Sequence, residues 1–396
     1  MKGQRRFLLV LRRMGIGGIE QATQTLADAL ATAGHDVHLL VLKGEVNREF
    51  HPGVTLHRHD VDKVSRKGLG LLLHLADRLC LSRLIKGSGF VWRGKRCSVA
   101  FSAFVQTLEE HQAPFDMILI RGQGAFENLW PYNDHRTWRV VEAVTGRFPC
   151  TTKGRWLARV LYQDKKVICV SKGVKGSLSD YLSRQGVTLV DSQVVYNAIP
   201  IARIQQLADH RQPMKIAHPY FVHVARLVPV KNQRRLLSAY HLAVNKGLQQ
   251  DLVIIGEGSE RQALEDMAQN LGLAAKVHFL GQQANPYPWV KDADALVLSS
   301  DFEGLGIVLL EALALGTPCI ACDVPGGISE VLTGDQRRML CEPNEEALAE
   351  KLLEAATSVP DVKDEWTTPF SEASILLRLM SLADESSTER PHAQTA

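Results

Sequence analysis

The sequence predicts an α/β protein made of two doubly wound domains, each with a parallel sheet covered by helices on both faces. Three observations support this fold class. Short apolar runs of strand length alternate with helix-length segments along the whole chain. This strand–helix cycle starts near Phe7 and starts again near Tyr220. A polar stretch at 198–218, which contains Pro200 and Pro213, separates the two cycles.

The first cycle predicts an N-terminal domain over residues 1–200. Its predicted strands are Phe7–Leu11, Val37–Leu42, Phe115–Ile120, Arg139–Ala143, Val167–Val170 and Val194–Tyr196, and its first helix is Gln21–Ala33. Gly34 follows that helix directly, and glycine is the residue most often found just after a helix end.

The second cycle predicts a C-terminal domain over residues 201–366. Its predicted strands are Tyr220–Ala225, Leu252–Ile255, Lys276–Leu280, Ala295–Leu298 and Cys319–Cys322, and its helices include Asn232–Asn245, Ser259–Leu271, Val308–Leu315 and Glu345–Ala356. A last helix within 367–384 is expected to pack back toward the first domain, and the polar residues 385–396 to form a mobile tail. Ligands of such sheets bind beyond the carboxyl ends of the strands, so two facing domains would enclose an interdomain cleft.

Composition excludes several classes of protein. The 396 residues are 45% hydrophobic and 22% charged, as in ordinary globular proteins and unlike disordered chains or disulfide miniproteins. No apolar run approaches the roughly 20 residues of a membrane span, and the apolar run at the N-terminus is too short for a signal peptide. The sequence therefore predicts a cytoplasmic protein. The odd number of cysteines and the strand-like context of Cys319 and Cys322 argue against disulfide, redox or metal use.

The net charge of +3 conceals an asymmetry between the halves. Residues 1–200 hold 29 Lys and Arg against 17 Asp and Glu, whereas residues 201–396 hold 17 against 26. The basic residues are densest over 63–96, where Asp77 is the only acid. This segment either contacts an anionic membrane surface, on the cytoplasmic face of the inner membrane, or is a surface helix packed on its own domain. No nucleic-acid motif accompanies the charge, so nucleic acid is not expected as a partner.

The strongest chemical motif is Glu303-Gly-Leu-Gly-Ile-Val-Leu-Leu-Glu311, which follows a predicted strand. Gly304 and Gly306 allow the backbone to approach a ligand, and the helix that starts there points free N–H groups at a diphosphate. Glu311 can accept hydrogen bonds from vicinal hydroxyls such as those of ribose. Glu303 can hold a sugar hydroxyl or stabilise a developing positive charge. The alternative is that both glutamates are solvated charges at the helix end.

The second motif is the loop from His223 to Asn232, directly after the first strand of the second cycle. Arg226 and Lys231 form a cation pair that can neutralise a nucleotide diphosphate leaving group, Arg through its planar fork and Lys as a point charge. Asn232 can cap the following helix. The alternative interpretation is an ordinary basic loop.

Two glycine turns complete the candidate site. Gly17 and Gly18 follow the first strand, but Glu20 stands where a dinucleotide-binding fingerprint needs glycine, so that kind of site is disfavoured. The turn can still approach a diphosphate or a sugar. Gly256 belongs to a second turn in the other half, which is equally consistent with a donor contact and a plain turn.

In this order, the motifs resemble family 4 of the retaining glycosyltransferases, which have the GT-B fold. The matching pieces are Gly17-Gly18-Ile-Glu20, Val170-Ser171-Lys172, Tyr196-Asn197-Ala-Ile-Pro200, Arg226-Leu with Lys231-Asn232, Ile255-Gly256-Glu257-Gly258, Phe279-Leu280-Gly281, Glu303…Glu311, Gly316-Thr-Pro318 and Gly326-Gly327…Glu330. The resemblance extends from about residue 6 to residue 383 and is strongest over 190–335.

This resemblance implies transfer of a sugar from a nucleotide diphosphate donor, a UDP-sugar by family frequency, with retention at the anomeric carbon. It implies that Arg226 and Lys231 hold the diphosphate, that Glu311 holds the ribose and that Glu303 holds the donor sugar. It also places backbone groups of Leu305 and Ile307 near the donor, the base near Leu280, and Gly17 and Gly18 on the phosphate side. Arg226, Lys231 and Glu303 would be the catalytic residues. The family uses no metal ion, so no cofactor is expected.

One departure from the family concerns the first domain. Many relatives carry a histidine near the reacting centre, but the strand around Arg139–Ala143 has none. Either Glu142 or Thr145 takes its place, or the equivalent residue lies elsewhere, and no first-domain catalytic base is assigned. We expect the N-terminal domain to bind a glycan or glycolipid acceptor, as in lipopolysaccharide or other surface polysaccharide synthesis, and the C-terminal domain to bind the nucleotide sugar. The alternatives are a nucleotide-sugar epimerase of the same fold and a non-catalytic nucleotide-sugar binding protein.

Overall fold

The structure is a computed structural model that describes residues 3–15, 17–67, 71–72, 75, 89–145, 150–210 and 216–388. The chain divides into two compact units. Unit 1 contains Met1–Val170, Lys175–Ala198 and the segment that begins at Glu372. Unit 2 contains Ser171–Val174 and Ile199–Ser371.

Unit 1 is built on a seven-stranded sheet in which all pairings are parallel, in the order β3-β2-β1-β4-β5-β6-β7. The strands are β1 (Arg6–Leu11), β2 (Asp36–Val41), β3 (Val54–Arg58), β4 (Met117–Arg121), β5 (Thr137–Val141), β6 (Lys166–Cys169) and β7 (Asp191–Val194). Successive side chains of β1 from Phe7 to Val10 are fully buried, because helices cover both faces of the sheet. The strand order reverses between β1 and β4, which is where ligands bind in such sheets.

Unit 2 has a six-stranded sheet, also with parallel pairings only, in the order β10-β9-β8-β11-β12-β13. Its strands are β8 (Tyr220–Val224), β9 (Asp251–Ile255), β10 (Val277–Gly281), β11 (Ala295–Leu298), β12 (Cys319–Cys322) and β13 (Leu340–Cys341). The order reverses between β8 and β11, so the loops after these two strands meet at one edge of the sheet. Cys319 and Cys322 are fully buried in β12, which confirms the strand prediction for this pair.

Helices connect the strands in both units. They are α1 (Gly18–Thr32), α2 (Val61–Val64), α3 (Gly89–Glu109), α4 (Gln123–Asn128), α5 (Thr152–Tyr162), α6 (Lys172–Gln185), α7 (Ile201–Ala208), α8 (Gln233–Asn245), α9 (Arg261–Asn270), α10 (Tyr287–Lys291), α11 (Ile307–Ala314), α12 (Ile328–Val331), α13 (Glu345–Ala355) and α14 (Glu372–Thr388). α14 packs on unit 1, where Ile375 and Leu379 are buried and Arg378 donates to the Gln193 side chain at 2.7 Å.

Several elements are not predicted from the sequence, among them β3, β13 and α3. β3 is a half-exposed edge strand without a continuous apolar run, β13 has only two residues, and α3 begins inside the basic segment 63–96. At the C-terminus, α14 continues to Thr388, four residues into the segment 385–396 that is expected to be mobile. The apolar pattern used for the prediction ends before these polar residues, so it does not reveal the last turn of the helix. The rest of that tail, from residue 389, lies outside the described residues.

Gly256 is required by close packing of two loops of unit 2. Its φ is 145°, and a Cβ there would overlap the carbonyl oxygen of Ala225. We expect Gly256→Ala to destabilise the protein by about 2–4 kcal/mol, because both the backbone angle and the space exclude a side chain. Thermal unfolding should show a melting temperature roughly 5 °C or more below that of the wild type.

The matched control is Gly176→Ala within α6. No atom lies within 4 Å of a Cβ built there, and the backbone angle is ordinary for a helix. This variant should melt at the same temperature as the wild type or slightly higher, since alanine is the better helix former. An unchanged melting temperature for Gly256→Ala would contradict the packing argument.

Candidate active site

The candidate site of unit 2 lies where the strand order reverses. The loop after β8 carries Arg226 and Lys231, and the loop after β11 carries Glu303. The backbone N–H of Asp301 donates to the Val230 carbonyl at 2.9 Å, which joins the two loops directly. The fold therefore brings together residues that are about seventy positions apart in the chain.

Lys231 and Glu303 form the centre of this site. The Lys231 Nζ lies 2.5 Å from the Glu303 Oε1, and their side chains are 20% and 11% exposed. The Ser300 hydroxyl donates to the same carboxylate oxygen at 2.6 Å. A cation and a carboxylate thus stand side by side and partly open to solvent. Such a pair can bind a ligand that carries negative charge on one part and hydroxyls on another.

The backbone around Lys231 is held by side chains. Asn232 has a left-handed conformation, and its side-chain oxygen accepts from the Arg235 N–H at 3.1 Å, which caps α8 as predicted. The Arg235 guanidinium lies 2.7 Å from Asp301, and the buried Ser299 hydroxyl donates to the Lys231 carbonyl at 3.0 Å. Lys231 therefore projects from a rigid loop.

Glycines allow a second segment to support the Glu303 loop. A Cβ on Gly326 would overlap the Glu303 carbonyl oxygen, and one on Gly327 would lie 2.9 Å from the Gly304 carbonyl oxygen. The Ser171 hydroxyl donates to that Gly304 carbonyl at 2.7 Å. The motif pieces containing Ser171 and Gly326 thus have a structural role that the sequence alone does not reveal.

Helix α11 begins directly after the Glu303 loop. Gly306 precedes it with φ 82°, and no described side chain caps its first turn. The N–H groups of that turn carry the positive end of the helix dipole, which favours an anion. Leu305 is buried beneath this turn, and Ile307 is its first helical residue. The backbone contacts to a diphosphate that are predicted for Leu305 and Ile307 would therefore form at the start of this helix.

Glu311 lies on α11 and is largely buried. The Tyr287 hydroxyl donates to its Oε1 at 3.1 Å. Burial raises the pKa of Glu311 to about 7, although the Tyr287 hydrogen bond opposes this shift. A carboxylate with such a pKa changes charge near neutral pH, and its ionised form accepts hydrogen bonds from hydroxyl groups.

The remaining predicted donor residues lie at neighbouring strand ends. The Gly256 N–H donates to the Gly281 carbonyl at 2.8 Å, and the Leu227 N–H donates to the Glu257 carbonyl at 2.9 Å. The loop of Arg226, the Gly256 turn and the end of β10 at Leu280 are therefore adjacent. Arg226 is exposed, and among the described residues its guanidinium has no ion pair.

His223, at the start of the second motif, is a buried residue between the strands and is not exposed to the site. It is fully buried, its Nδ1 lies 2.8 Å from the Val297 carbonyl, and burial lowers its pKa to about 4. Because this pKa lies well below neutral pH, the imidazole is neutral there and links β8 to β11 through its hydrogen bond to Val297. It fixes the two strands whose loops form the site.

Gly17 and Gly18 belong to unit 1, at the start of α1. The Gly17 carbonyl accepts from the Gln21 N–H at 3.1 Å, and a Cβ on Gly17 would lie 2.6 Å from a Glu20 carboxylate oxygen. Gly18 has open space around the position of a Cβ. The turn therefore presents bare backbone beside the end of β1.

Glu142, one of the two residues considered for a first-domain catalytic role, is committed to a buried network. The Arg121 guanidinium lies 2.7 Å from its Oε1, and the Asn197 amide donates to its Oε2 at 3.1 Å. Thr145, the other candidate, donates its hydroxyl to the Ala143 carbonyl at 3.4 Å. Both carboxylate oxygens of Glu142 are therefore engaged within the protein, and the described part of unit 1 does not identify a general base.

Among the described residues, no group of three or more His, Cys, Asp or Glu side chains is arranged to hold a metal ion. No described helix is both long and apolar enough to cross a bilayer. Most of the predicted membrane-contact segment, including residues 76–88, lies outside the described residues.

One known family matches most of the second half of the chain. Residues 208–363 match the family described as glycosyl transferases group 1. This region contains the Arg226 loop, the Glu303 loop and α11. The match therefore covers the part of the chain in which the candidate site lies.

Similar curated proteins match over parts of their length. An uncharacterized glycosyltransferase of Methanocaldococcus jannaschii is 30% identical over 36% of this chain and 36% of its own. The N-acetylgalactosamine-N,N'-diacetylbacillosaminyl-diphospho-undecaprenol 4-alpha-N-acetylgalactosaminyltransferase of Campylobacter jejuni is 29% identical over 48% and 51%. The lipopolysaccharide 1,6-galactosyltransferase of Salmonella typhimurium is 28% identical over 42% and 45%. The chain thus spans about a third to a half of the length of these relatives.

Solved structures match over nearly the whole chain. A glycosyltransferase from Rickettsia africae has a TM-score of 0.69 at 15% identity, over 98% of this chain and 99% of its own. HepE of Anabaena, solved in complex with UDP and glucose, has a TM-score of 0.68 at 18% identity, over 96% and 100%. At this identity the likeness shows the fold. The chain therefore has the GT-B fold, and its residues 208–363 match the family described as glycosyl transferases group 1.

Proposed function

We propose that the protein transfers a sugar from a UDP-sugar to a glycan or glycolipid acceptor, with retention at the anomeric carbon. The observation that carries this proposal is the Lys231–Glu303 pair beside the uncapped start of α11, where the strand order of unit 2 reverses. Positive groups for a diphosphate and a carboxylate for a sugar meet at that edge of the sheet. The UDP bound to HepE supports the choice of nucleotide.

The acceptor class rests on charge and on the relatives. The names of the Campylobacter and Salmonella relatives specify a lipid-linked saccharide and lipopolysaccharide. The excess of basic residues over 1–200 favours an anionic acceptor of this kind. We propose that the protein acts in lipopolysaccharide or other surface polysaccharide synthesis, with unit 1 binding the acceptor and unit 2 the nucleotide sugar.

The proposed mechanism follows the movement of charge. The bond between the anomeric carbon and the diphosphate breaks, which leaves negative charge on the diphosphate and positive charge on the sugar ring. Lys231, Arg226 and the first N–H groups of α11 stabilise the diphosphate, and Glu303 stabilises the sugar. The acceptor oxygen bonds to the same face of the anomeric carbon. Its proton passes to the departing diphosphate, which removes the need for a separate base such as Glu142.

The test is a transfer assay with the full chain, UDP-sugars and a lipid-linked or core oligosaccharide acceptor, run in EDTA. We expect a new glycosidic bond of the donor's configuration, detected by NMR, together with free UDP. Full activity in EDTA is expected because Lys231 and Arg226 supply the positive charge that a metal would otherwise provide. An isomerised nucleotide sugar formed without acceptor would indicate an epimerase. UDP binding with no turnover on any acceptor would indicate a binding protein, and either result would contradict the proposal.

Peripheral contact with the cytoplasmic face of the inner membrane is a second part of the proposal. At the start of α3, Trp92 and Lys95 are exposed, with the Lys95 Nζ 5.3 Å from the centre of the Trp92 ring. An aromatic ring with adjacent cations suits the interface of an anionic bilayer. Sedimentation with anionic vesicles but not with neutral ones is the expected result, and equal sedimentation with both would contradict it.

The raised pKa of Glu311 predicts a pH dependence of donor binding. The ionised carboxylate accepts hydrogen bonds from two ribose hydroxyls, whereas the protonated form cannot accept both equally well. UDP affinity should therefore increase as pH rises through about 7, by up to roughly tenfold per pH unit below this value, and then level off. Calorimetric titration of UDP between pH 5.5 and 8.5 measures this step. Glu311→Gln should bind more weakly and lack the step; the same step in that variant would assign it to another group.

A further inference from the structure

Unit 1 has its own pocket at the point where its strand order reverses. A cavity of about 390 Å³ lies between the end of β1 and the start of α4. Its lining includes Arg12, Arg13, Glu20, Arg121, Gln123 and Gly124. Ligands bind at such points in doubly wound sheets, and none of the roles assigned so far uses this pocket. Its volume suits one sugar unit with its substituents.

The arginines of this pocket differ in how their charges are compensated. Arg121 is neutralised by Glu142 and bonded to Asn197. Arg12 and Arg13 have no ion pair or hydrogen bond with any described residue, and the Arg12 Nε is buried without a partner. Guanidinium groups that lack a carboxylate partner within the protein can form charge-assisted hydrogen bonds with an anionic ligand.

The only carboxylate among the described lining residues does not cancel this charge. Glu20 forms no ion pair with Arg12 or Arg13, and its carboxylate lies beside the position of a Gly17 Cβ. Two uncompensated cations face one carboxylate, so the pocket is net positive. A neutral ligand would leave the excess charge uncompensated, whereas one anionic group can bind both guanidinium forks.

The chain makes room for Arg12 through a glycine. A Cβ on Gly124 would lie 2.7 Å from the Arg12 Cδ and 3.2 Å from its Nη1. The Arg12 side chain therefore lies directly against the backbone of α4, and only a residue without a side chain permits this position. This contact directs Arg12 along the wall of the cavity.

We propose that this pocket binds an anionic substituent, a phosphate or a carboxylate, on the sugar unit of the acceptor, through Arg12 and Arg13. The inference rests on the proposed function, since it identifies the chemical class of the acceptor. We assign the bound group to the acceptor and not to the donor diphosphate, whose candidate cations Arg226 and Lys231 belong to unit 2. The lining has no aromatic side chain on which a nucleobase could stack.

The test measures binding of three small probes to the full chain by ligand-observed NMR: glucose 6-phosphate, glucuronic acid and glucose. We expect one or both anions to bind the wild type, and glucose to bind at least tenfold more weakly. Preference for the phosphate or for the carboxylate identifies which substituent the pocket takes. Arg12→Ala/Arg13→Ala should weaken anion binding roughly tenfold or more, while UDP affinity stays within twofold of the wild type.

Two further variants make the result specific. Arg155→Ala/Arg159→Ala removes the same charge from the exposed face of α5 and should leave anion binding unchanged. Gly124→Ala keeps every charge but displaces Arg12, and it should also weaken anion binding, which covers the case that the double variant does not fold.

Three results would overturn the inference: anions that bind no better than glucose, an Arg12→Ala/Arg13→Ala variant that binds them as the wild type does, or an equal loss of UDP affinity, which would assign the arginines to the donor. Wild-type binding of UDP is measured in the same samples. If UDP fails to bind while the anions do, the proposed function fails and the anion pocket remains.

Discussion

Lys231→Ala is expected to reduce kcat/KM for the nucleotide sugar by about 10²–10³-fold. Loss of one preorganised donor to a developing anion costs this much in comparable sites. Lys231 is held by the capped start of α8 and by Ser299, so its ammonium group is preorganised for this role. The measurement is steady-state transfer with variable UDP-sugar at saturating acceptor, after circular dichroism has shown that the variant is folded.

Two companion variants define this result. Lys246→Ala removes the same charge at the exposed end of α8 and should keep wild-type activity. Lys231→Arg keeps the charge but changes its shape, and we expect a partial loss only, because a phosphate oxygen can still be reached by the longer fork. If Lys231→Ala retained more than a tenth of wild-type kcat/KM, the assignment of the diphosphate site would be wrong.

Glu303→Gln is expected to reduce kcat by about 10²-fold with little loss of UDP affinity. The amide has nearly the same shape, but it cannot stabilise positive charge on the sugar ring. Lys231 is ion-paired with Glu303 in the structure, so removing the carboxylate frees the ammonium group for the diphosphate. UDP should therefore bind as tightly as to the wild type or more tightly, although turnover falls.

A loss of turnover without a loss of UDP affinity would show that Glu303 acts in catalysis and does not only hold the loop in place. A role limited to holding the loop would lower UDP affinity, turnover and melting temperature together. Glu350→Gln on α13 is the matched control, since it removes one exposed carboxylate of the same unit. Unchanged kcat in Glu303→Gln would show that Glu303 serves only as the ion-pair partner of Lys231.

The sequence predicts the parts of this site that depend on local pattern. Gly306 and the apolar residues after it predict a helix start, and the apolar run of β11 predicts the strand before Glu303. Because parallel strand ends meet at one edge of a sheet, the loops of Lys231 and Glu303 could be expected to approach each other. The 2.5 Å ion pair between them is the structural result of that topology.

Other parts of the site depend on contacts that no local pattern contains. Ser300 and Ser171 are ordinary loop serines in the sequence, yet their hydroxyls donate to the Glu303 carboxylate and to the Gly304 carbonyl. Glu330 accepts the first N–H groups of α6, from Lys172 at 2.9 Å, across a long separation in sequence. Such partners follow from the packing of loops, which is fixed only once the whole unit has folded.

The same limit applies to unit 1. Glu142 can be identified in the sequence as a carboxylate after a strand, but its neutralisation by Arg121 is a tertiary contact. Arg12 and Arg13 appear in the sequence as part of a basic N-terminus. Their position beside a cavity depends on where β4 and α4 lie, and on the lack of a side chain at Gly124.

The most direct test of the central claim is calorimetric titration of the full chain with UDP and UMP at the same pH, for the wild type and Lys231→Ala. If unit 2 binds a diphosphate through Lys231 and the start of α11, UDP binds the wild type at least tenfold more tightly than UMP, and this preference disappears in Lys231→Ala. Equal affinity of the wild type for UDP and UMP, or an undiminished preference in the variant, would contradict the claim.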